Sequence, residues 1–163
     1  MNTEIVSDLA GLAKDPLSFV YWAFPWSEGL LTHQDGPEAW QKEILSHIGE
    51  NVSPDKVIQE AVASGHGIGK SALVSWLILW AISTHENTRG VVTANTETQL
   101  LTKTWPELMK WHAMFLARDL FKVTATSIFA AEDGKEKNWR IDAIPWSVAN
   151  PEAFAGLHNQ GNR

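Results

Sequence analysis

One stretch of this chain admits few architectures: residues 60–82 read EAVASGHGIGKSALVSWLILWAI. Gly65, Gly67 and Gly69 fall within five positions, and Lys70 and Ser71 follow at once. From Ala72 to Ile82 every residue but Ser75 is apolar, with no polar side to a helical projection. A helix of that kind has no face for water and belongs in the middle of a layered fold. The glycines ahead of it let the backbone turn so that successive amide N–H groups point at one anion, an approach that side chains would block. The order Gly65-His66-Gly67-Ile68-Gly69-Lys70-Ser71 comes close to the phosphate-binding pattern G-x-x-x-x-G-K-[ST], with Ser64 standing where the first glycine belongs. In that pattern the lysine reaches the β- and γ-phosphates, the hydroxyl ligates Mg²⁺, and the helix turns its positive end to the phosphates. Gly65, His66, Gly67, Ile68, Gly69, Lys70 and Ser71 are therefore the candidate nucleotide-binding residues, with Lys70 and Ser71 closest to chemistry and Ser71 the candidate Mg²⁺ ligand.

Glycine-rich loops also precede helices that bind no nucleotide, so the flanks matter. Val57, Ile58, Ala61, Val62 and Ala63 suit a strand entering the loop, whereas Gln59 and Glu60 are polar where a central strand is apolar. The 163 residues allow one domain with a real core, and 44% hydrophobic with 20% charged residues is a globular balance. Run 72–82 is too short to cross a bilayer, and the first residues lack the basic-then-apolar order of a leader. With no cysteine, disulfides and thiolate metal sites are excluded. The net charge of −6 sits in the first part: residues 1–60 hold three Lys+Arg against ten Asp+Glu, and the remainder ten against nine. No dense basic tract marks free-standing nucleic-acid binding, and most of the nine tryptophans are expected in the core or at interfaces.

Along the chain, Ile5, Leu9 and Leu12 give a weak amphipathic helix. Asp15-Pro16 is an N-cap followed by proline at the first helical position, opening a helix over 17–24 that stops at Pro25. Residues 27–36 read as a loop, and Gly36-Pro37 opens a second helix over 38–48 that Gly49 should end. After a polar turn, 91–94 predicts a short buried strand, and Thr96 with Gln99 has capping-box spacing for a helix that Pro106 should kink or divide. The alternating runs 121–129 and 139–144 predict a β-hairpin around a charged tip. Asn150-Pro151 opens a last short helix through Leu157. Helices alternating with strands argue for an α/β domain on a parallel sheet, with ligand at the carboxyl ends of its strands.

In order, ASGHGIGKS, VVTANTETQ one strand later, WPELMKW and NPEAFAGLH resemble the ATPase half of phage terminase large subunits, the DNA-packaging motors of tailed double-stranded DNA phages. Upstream, GPEAWQKEIL looks like that family's adenine-binding segment, and the resemblance covers the chain from about residue 16 onward. It implies a P-loop NTPase fold, an incomplete parallel-sheet sandwich with an N-terminal helical segment over 1–55, an ATPase core over 56–163 and a β-hairpin late in the chain. It implies ATP and Mg²⁺ as cofactors, double-stranded DNA, the portal protein and the small terminase subunit as partners, a homo-oligomeric ring, and the bacterial host's cytoplasm as location, with no membrane. Gln41, beside Trp40, would read adenine, since a carboxamide offers one donor and one acceptor edge. A solvated Gln41 beside a core Trp40 is the plainer alternative. Thr93 to Thr96 match a turn that lies near DNA or the phosphates in related motors, although capping by Thr96 explains them equally. His66 stands where many of these proteins carry an arginine, and Arg89, Arg118 and Arg140 are the candidates for an arginine finger.

The chain lacks the family's second motif, an apolar run ending in Asp-Glu that helps hold Mg²⁺ and orients the attacking water. The expectation is an N-terminal piece of such a protein, without the later nuclease domain. It would bind ATP through Lys70 with negligible turnover of its own, and would expose a sheet edge and part of helix 72–82. Two other readings use the same residues: a helicase-like P-loop enzyme acting on nucleic acid, and a non-catalytic nucleotide-binding remnant.

Overall fold

Chain order, capping residues and apolar spacing place the helices before any tertiary contact is considered. In the computed structural model, which describes residues 2–65, 67 and 69–146, helices α1 (Thr3–Gly11), α2 (Pro16–Ala23) and α3 (Ala39–Asn51) come first. A helix α4 (Lys70–Thr84) and a strand β1 (Arg89–Val92) follow, then α5 (Glu97–Gln99) and α6 (Trp105–Met114). Three strands complete the described part: β2 (Phe121–Val123), β3 (Ser127–Ala130) and β4 (Arg140–Ala143). The expected helix after Asn150 and its NPEAFAGLH segment lie outside the described residues.

Local chemistry explains most of the helix ends. The Asp15 carboxylate accepts the Ser18 N–H at 3.0 Å, and Pro16 follows at the first helical position, where no N–H is needed. Thr96 Oγ1 accepts the Gln99 N–H at 3.1 Å and opens α5. Between α5 and α6 the backbone widens into a π-helical segment, Leu100–Thr104, just ahead of Pro106 in the first turn of α6. A proline has no N–H for the α-helical ladder and crowds the carbonyl four residues back, so the widened turn accommodates it without breaking the rod. Gly49 does not end α3, which continues to Asn51. A Cβ there would come within 3.1 Å of both the Lys14 carbonyl oxygen and Pro16 Cδ, so this glycine serves the close approach of α3 to the start of α2.

The sheet differs from the expected parallel one. Its order is β1-β4-β3-β2, with β1 and β4 parallel and the other two pairs antiparallel. Short turns join β2 to β3, and a loop of nine residues joins β3 to β4; connections of that length can return the chain only antiparallel. The run 121–129 is two strands rather than one. Thr124 Oγ1 accepts the Ser127 N–H at 3.1 Å, and the Thr124 N–H donates to the Ser127 carbonyl at 2.8 Å, so the chain reverses there. The hairpin with 139–144 is formed by β3 and β4 alone. Strand β1 begins at Arg89, two residues before the predicted start.

The expected strand at 57–63 does not form: it pairs with none of the described strands, and Val57 is 87% exposed. Gln59 and Glu60 have solvent on this path, Glu60 pairs with His47 of α3, and Ile58 alone of the early apolar residues packs on the core. Polar alternation favours that course over a central strand buried on both faces.

Helix α4 is the hub, touching α1, α2, α6 and β4. Leu73, Trp76, Ile78, Leu79, Trp80 and Ile82 are buried on it, and Val74 reaches solvent. Beside it an aromatic cluster joins three segments: Trp111 of α6 lies 4.9 Å from Phe24 and 5.2 Å from Trp76, between ring centroids. The indole N–H groups are largely satisfied by backbone, Trp80 on Leu12, Trp105 on Thr124 and Trp139 on Ile82, at 2.7–3.0 Å. Among the described residues Trp76 Nε1 finds no acceptor, and its ring sits steeply inclined to those of Trp26 and Trp111.

Candidate functional site

The glycine loop meets α4 in a conformation that most residues avoid. Gly67 has φ +78° and Gly69 φ +94°, both in the left-handed region. Gly69 is the N-cap of α4, whose first residues are Lys70 and Ser71. No side chain caps this end. Its free amide N–H groups leave partial positive charge facing the loop, the usual situation at an anion-binding helix start. A Cβ on Gly65 or Gly67 would meet nothing within 4 Å, so the space beside the loop is open. His66 and Ile68 lie outside the described residues.

Lys70 folds back over the loop, and its Nζ donates to the Ser64 carbonyl oxygen at 2.8 Å. Ser64 departs from the sequence pattern, yet its main-chain oxygen is what receives the ammonium, so the side chain at that position is not what the contact requires. The Ser71 hydroxyl is on an exposed residue, and the Ser71 carbonyl accepts Ser75 Oγ at 2.8 Å within the helix. An exposed serine therefore follows Lys70 in the first turn of the helix.

Gln41 is only 3% exposed, so it is not the solvated helix residue of the plainer reading. Its Oε1 accepts the Glu38 N–H at 2.7 Å, at the start of α3, and its Nε2 donates to the Gly69 carbonyl at 2.9 Å. That carbonyl also accepts the Leu73 N–H at 3.1 Å, the first turn of α4. Trp40 is half-buried, and its Cζ2 lies 4.0 Å from where a Gly69 Cβ would stand. The structure thus brings Trp40, Gln41, Gly69 and Lys70 together. The sequence signal for the Glu38 contact was available, since residues three apart at a helix start are placed for reciprocal capping.

Of the three arginines considered as fingers, Arg89 and Arg140 lie in strands β1 and β4, and Arg118 lies in the turn before β2. On the sheet face turned away from the core, Arg89, Arg140, Phe129 and Lys122 form one row across the strands. Arg140 Nε reaches both carboxylate oxygens of Asp142 at 3.0 Å, its Nη2 reaches Oδ1 at 2.6 Å, and the guanidinium lies over the Phe129 ring. Ser127 Oγ donates to the same carboxylate at 2.7 Å. Arg118 Nη1 donates to the Phe115 carbonyl at 3.4 Å.

Burial works to raise the Asp142 pKa, but the hydrogen bonds from Arg140 and Ser127, with the charges of Arg140 and Arg89, outweigh it and hold the carboxyl below its ordinary value. A depressed folded-state pKa means stability that is fully present above the unfolded value and lost as pH falls through the folded one. Asp142→Asn is expected to cost about 1 kcal/mol at neutral pH, the scale of a partly exposed ion pair. That deficit against the wild type should shrink as pH drops below about 4. Urea melts of both proteins between pH 3 and about 7 check this; a deficit that grew on acidification would contradict it.

Among the described residues no group of three or more His, Asp or Glu is placed to hold a metal ion. Nor is any described helix long and apolar enough to cross a membrane. Compared with protein-family models, curated proteins and solved structures, the chain gives no significant match.

Proposed function

We propose that the loop 65–71 is a cradle for a nucleoside triphosphate, and that this chain is the ATP-binding portion of a terminase-like DNA-packaging ATPase of P-loop type. The observation that carries the reading is the Lys70 ammonium lying on its own loop, 2.8 Å from the Ser64 carbonyl, at the start of a fifteen-residue helix entered through two left-handed glycines. A carbonyl is a weak partner for an ammonium, and an incoming phosphate oxygen carries more charge, so the lysine can transfer from one to the other without a change of backbone. Backbone amides of Gly67, Gly69 and Lys70 would hold the phosphate oxygens, and Trp40 flanks the exit of the loop, where a base can pack against its ring.

Ser71 fits Mg²⁺ as one hard oxygen ligand beside the phosphates, and the ion would neutralise charge between the β- and γ-phosphate oxygens when bound. The chain has no apolar run ending in Asp-Glu, so the reading includes ATP binding with turnover at background. Double-stranded DNA, a portal, a small terminase subunit and a ring of like subunits are the partners this reading implies, and the host cytoplasm its setting. A titration calorimetry experiment with ATP and Mg²⁺, paired with a phosphate-release assay, tests it. Saturable one-site binding without phosphate release is expected. No binding up to millimolar ATP would overturn the cradle, and sustained release of phosphate would overturn the claim that hydrolysis needs carboxylates this chain lacks.

A further inference from the structure

Gln41 has a different part to play from the base reading that its position in the chain implies. We infer that Gln41 is a positioning residue for the phosphate loop: it fixes the Gly69 peptide against the start of α3 and contributes equally to binding any ligand with a triphosphate tail. The inference rests on the cradle proposed above and deepens it.

Four observations support it. Both edges of the carboxamide are in use, with Oε1 on the Glu38 N–H and Nε2 on the Gly69 carbonyl. The side chain is 3% exposed, so a base could reach it only by displacing one of those bonds. The residue it grips is the one whose backbone matters most, a left-handed glycine whose carbonyl also starts the α4 ladder. A Cβ at Gly69 would stand 2.7 Å from Gln41 Nε2, so the amide group occupies the space that only a glycine leaves there. By holding that carbonyl from behind, Gln41 orients the Gly69–Lys70 peptide unit, and with it the Lys70 N–H at the start of α4. Preorganised donors bind an anion without a reordering cost, so loosening the grip weakens binding irrespective of the base.

The test uses three ligands, ATP, GTP and inorganic tripolyphosphate, titrated into the wild type, Gln41→Ala and Gln41→Glu. Gln41→Glu keeps an acceptor for the Glu38 N–H and so keeps the α3 start, but sets a carboxylate against the Gly69 carbonyl. It remains informative if Gln41→Ala fails to fold. Loss of one neutral hydrogen bond corresponds to a fall of roughly 3- to 10-fold in affinity. That fall is expected for all three ligands alike, and at least as large for Gln41→Glu. In ligand-free Gln41→Glu the Gly69 and Lys70 amide resonances should move while those of α6 stay, a signature that simple loss of stability would not give. A loss confined to ATP would overturn the inference in favour of base reading, and wild-type affinities in both variants would overturn it in favour of packing alone. A wild type that binds none of the three ligands would instead remove the cradle itself, which separates the two failures.

Discussion

Trp111→Ala should destabilise the fold by about 3–5 kcal/mol, the cost of truncating a fully buried large aromatic and leaving a cavity. Trp111 is 2% exposed and lies where α6, α4 and the end of α2 meet, against Trp76, Phe24 and Trp26. Its Nε1 donates to Glu107 Oε1 one turn back on the same helix at 2.9 Å, so the substitution also removes that bond and leaves the oxygen to Lys110 Nζ at 3.5 Å. Domains of this size are stable by only about 5–15 kcal/mol, so a large share of the total is at stake. Trp111→Phe keeps most of the ring contacts and should lose less than half as much. Urea unfolding followed by far-UV circular dichroism measures both. A loss below about 1 kcal/mol for the alanine variant would show that the aromatic cluster is not the core of the fold.

Lys70→Ala should do the opposite, sparing the fold and removing the ligand. Lys70 is the first residue of α4, where the helix already presents positive partial charge. Its ammonium is badly placed there for stability, and among the described residues its hydrogen-bond partner is the Ser64 carbonyl. Removing it should leave stability unchanged or raise it by a few tenths of a kcal/mol. Binding should suffer far more, because a charge-assisted contact to phosphate is worth about 1.5–3 kcal/mol, or roughly 10- to 150-fold in affinity. A residue that costs the helix a little and serves the ligand a lot is the pattern expected of a functional position. Calorimetry with ATP and a thermal melt of the same sample read the two effects side by side. Destabilisation with ATP affinity retained would reverse the assignment and make Lys70 a structural residue.

Legibility in the sequence followed how local each determinant is. Asp15-Pro16, the Thr96 cap and the featureless apolar face of α4 act within one or two turns, and each is found in the structure. The glycine loop was legible for the same reason, because positive φ at Gly67 and Gly69 is a property of single residues. What sequence could not give depends on partners far along the chain. Nothing local distinguishes Gly49 as a close-approach glycine from Gly49 as a helix stop; the Lys14 carbonyl, thirty-five positions away, decides it. Alternation over 121–129 fits one strand until Thr124 turns back on Ser127, and strand direction follows from loop length only once the strands are known. Residues 57–63 have enough apolar letters for a strand, yet strand formation needs a neighbour, and this stretch pairs with none of the four described strands. Gln41 was visible as a residue of interest, but its engagement with Gly69 spans twenty-eight positions and could not be read from spacing.

The most direct measurement is a backbone amide NMR titration of the chain with inorganic tripolyphosphate, which carries the phosphates without a base. Saturable shifts centred on the amides of Gly67, Gly69, Lys70 and Ser71, with the Arg89, Arg140 and Lys122 row of the sheet left unmoved, are the predicted result. Shifts centred on that basic row, or none in the loop at saturating ligand, would contradict the account.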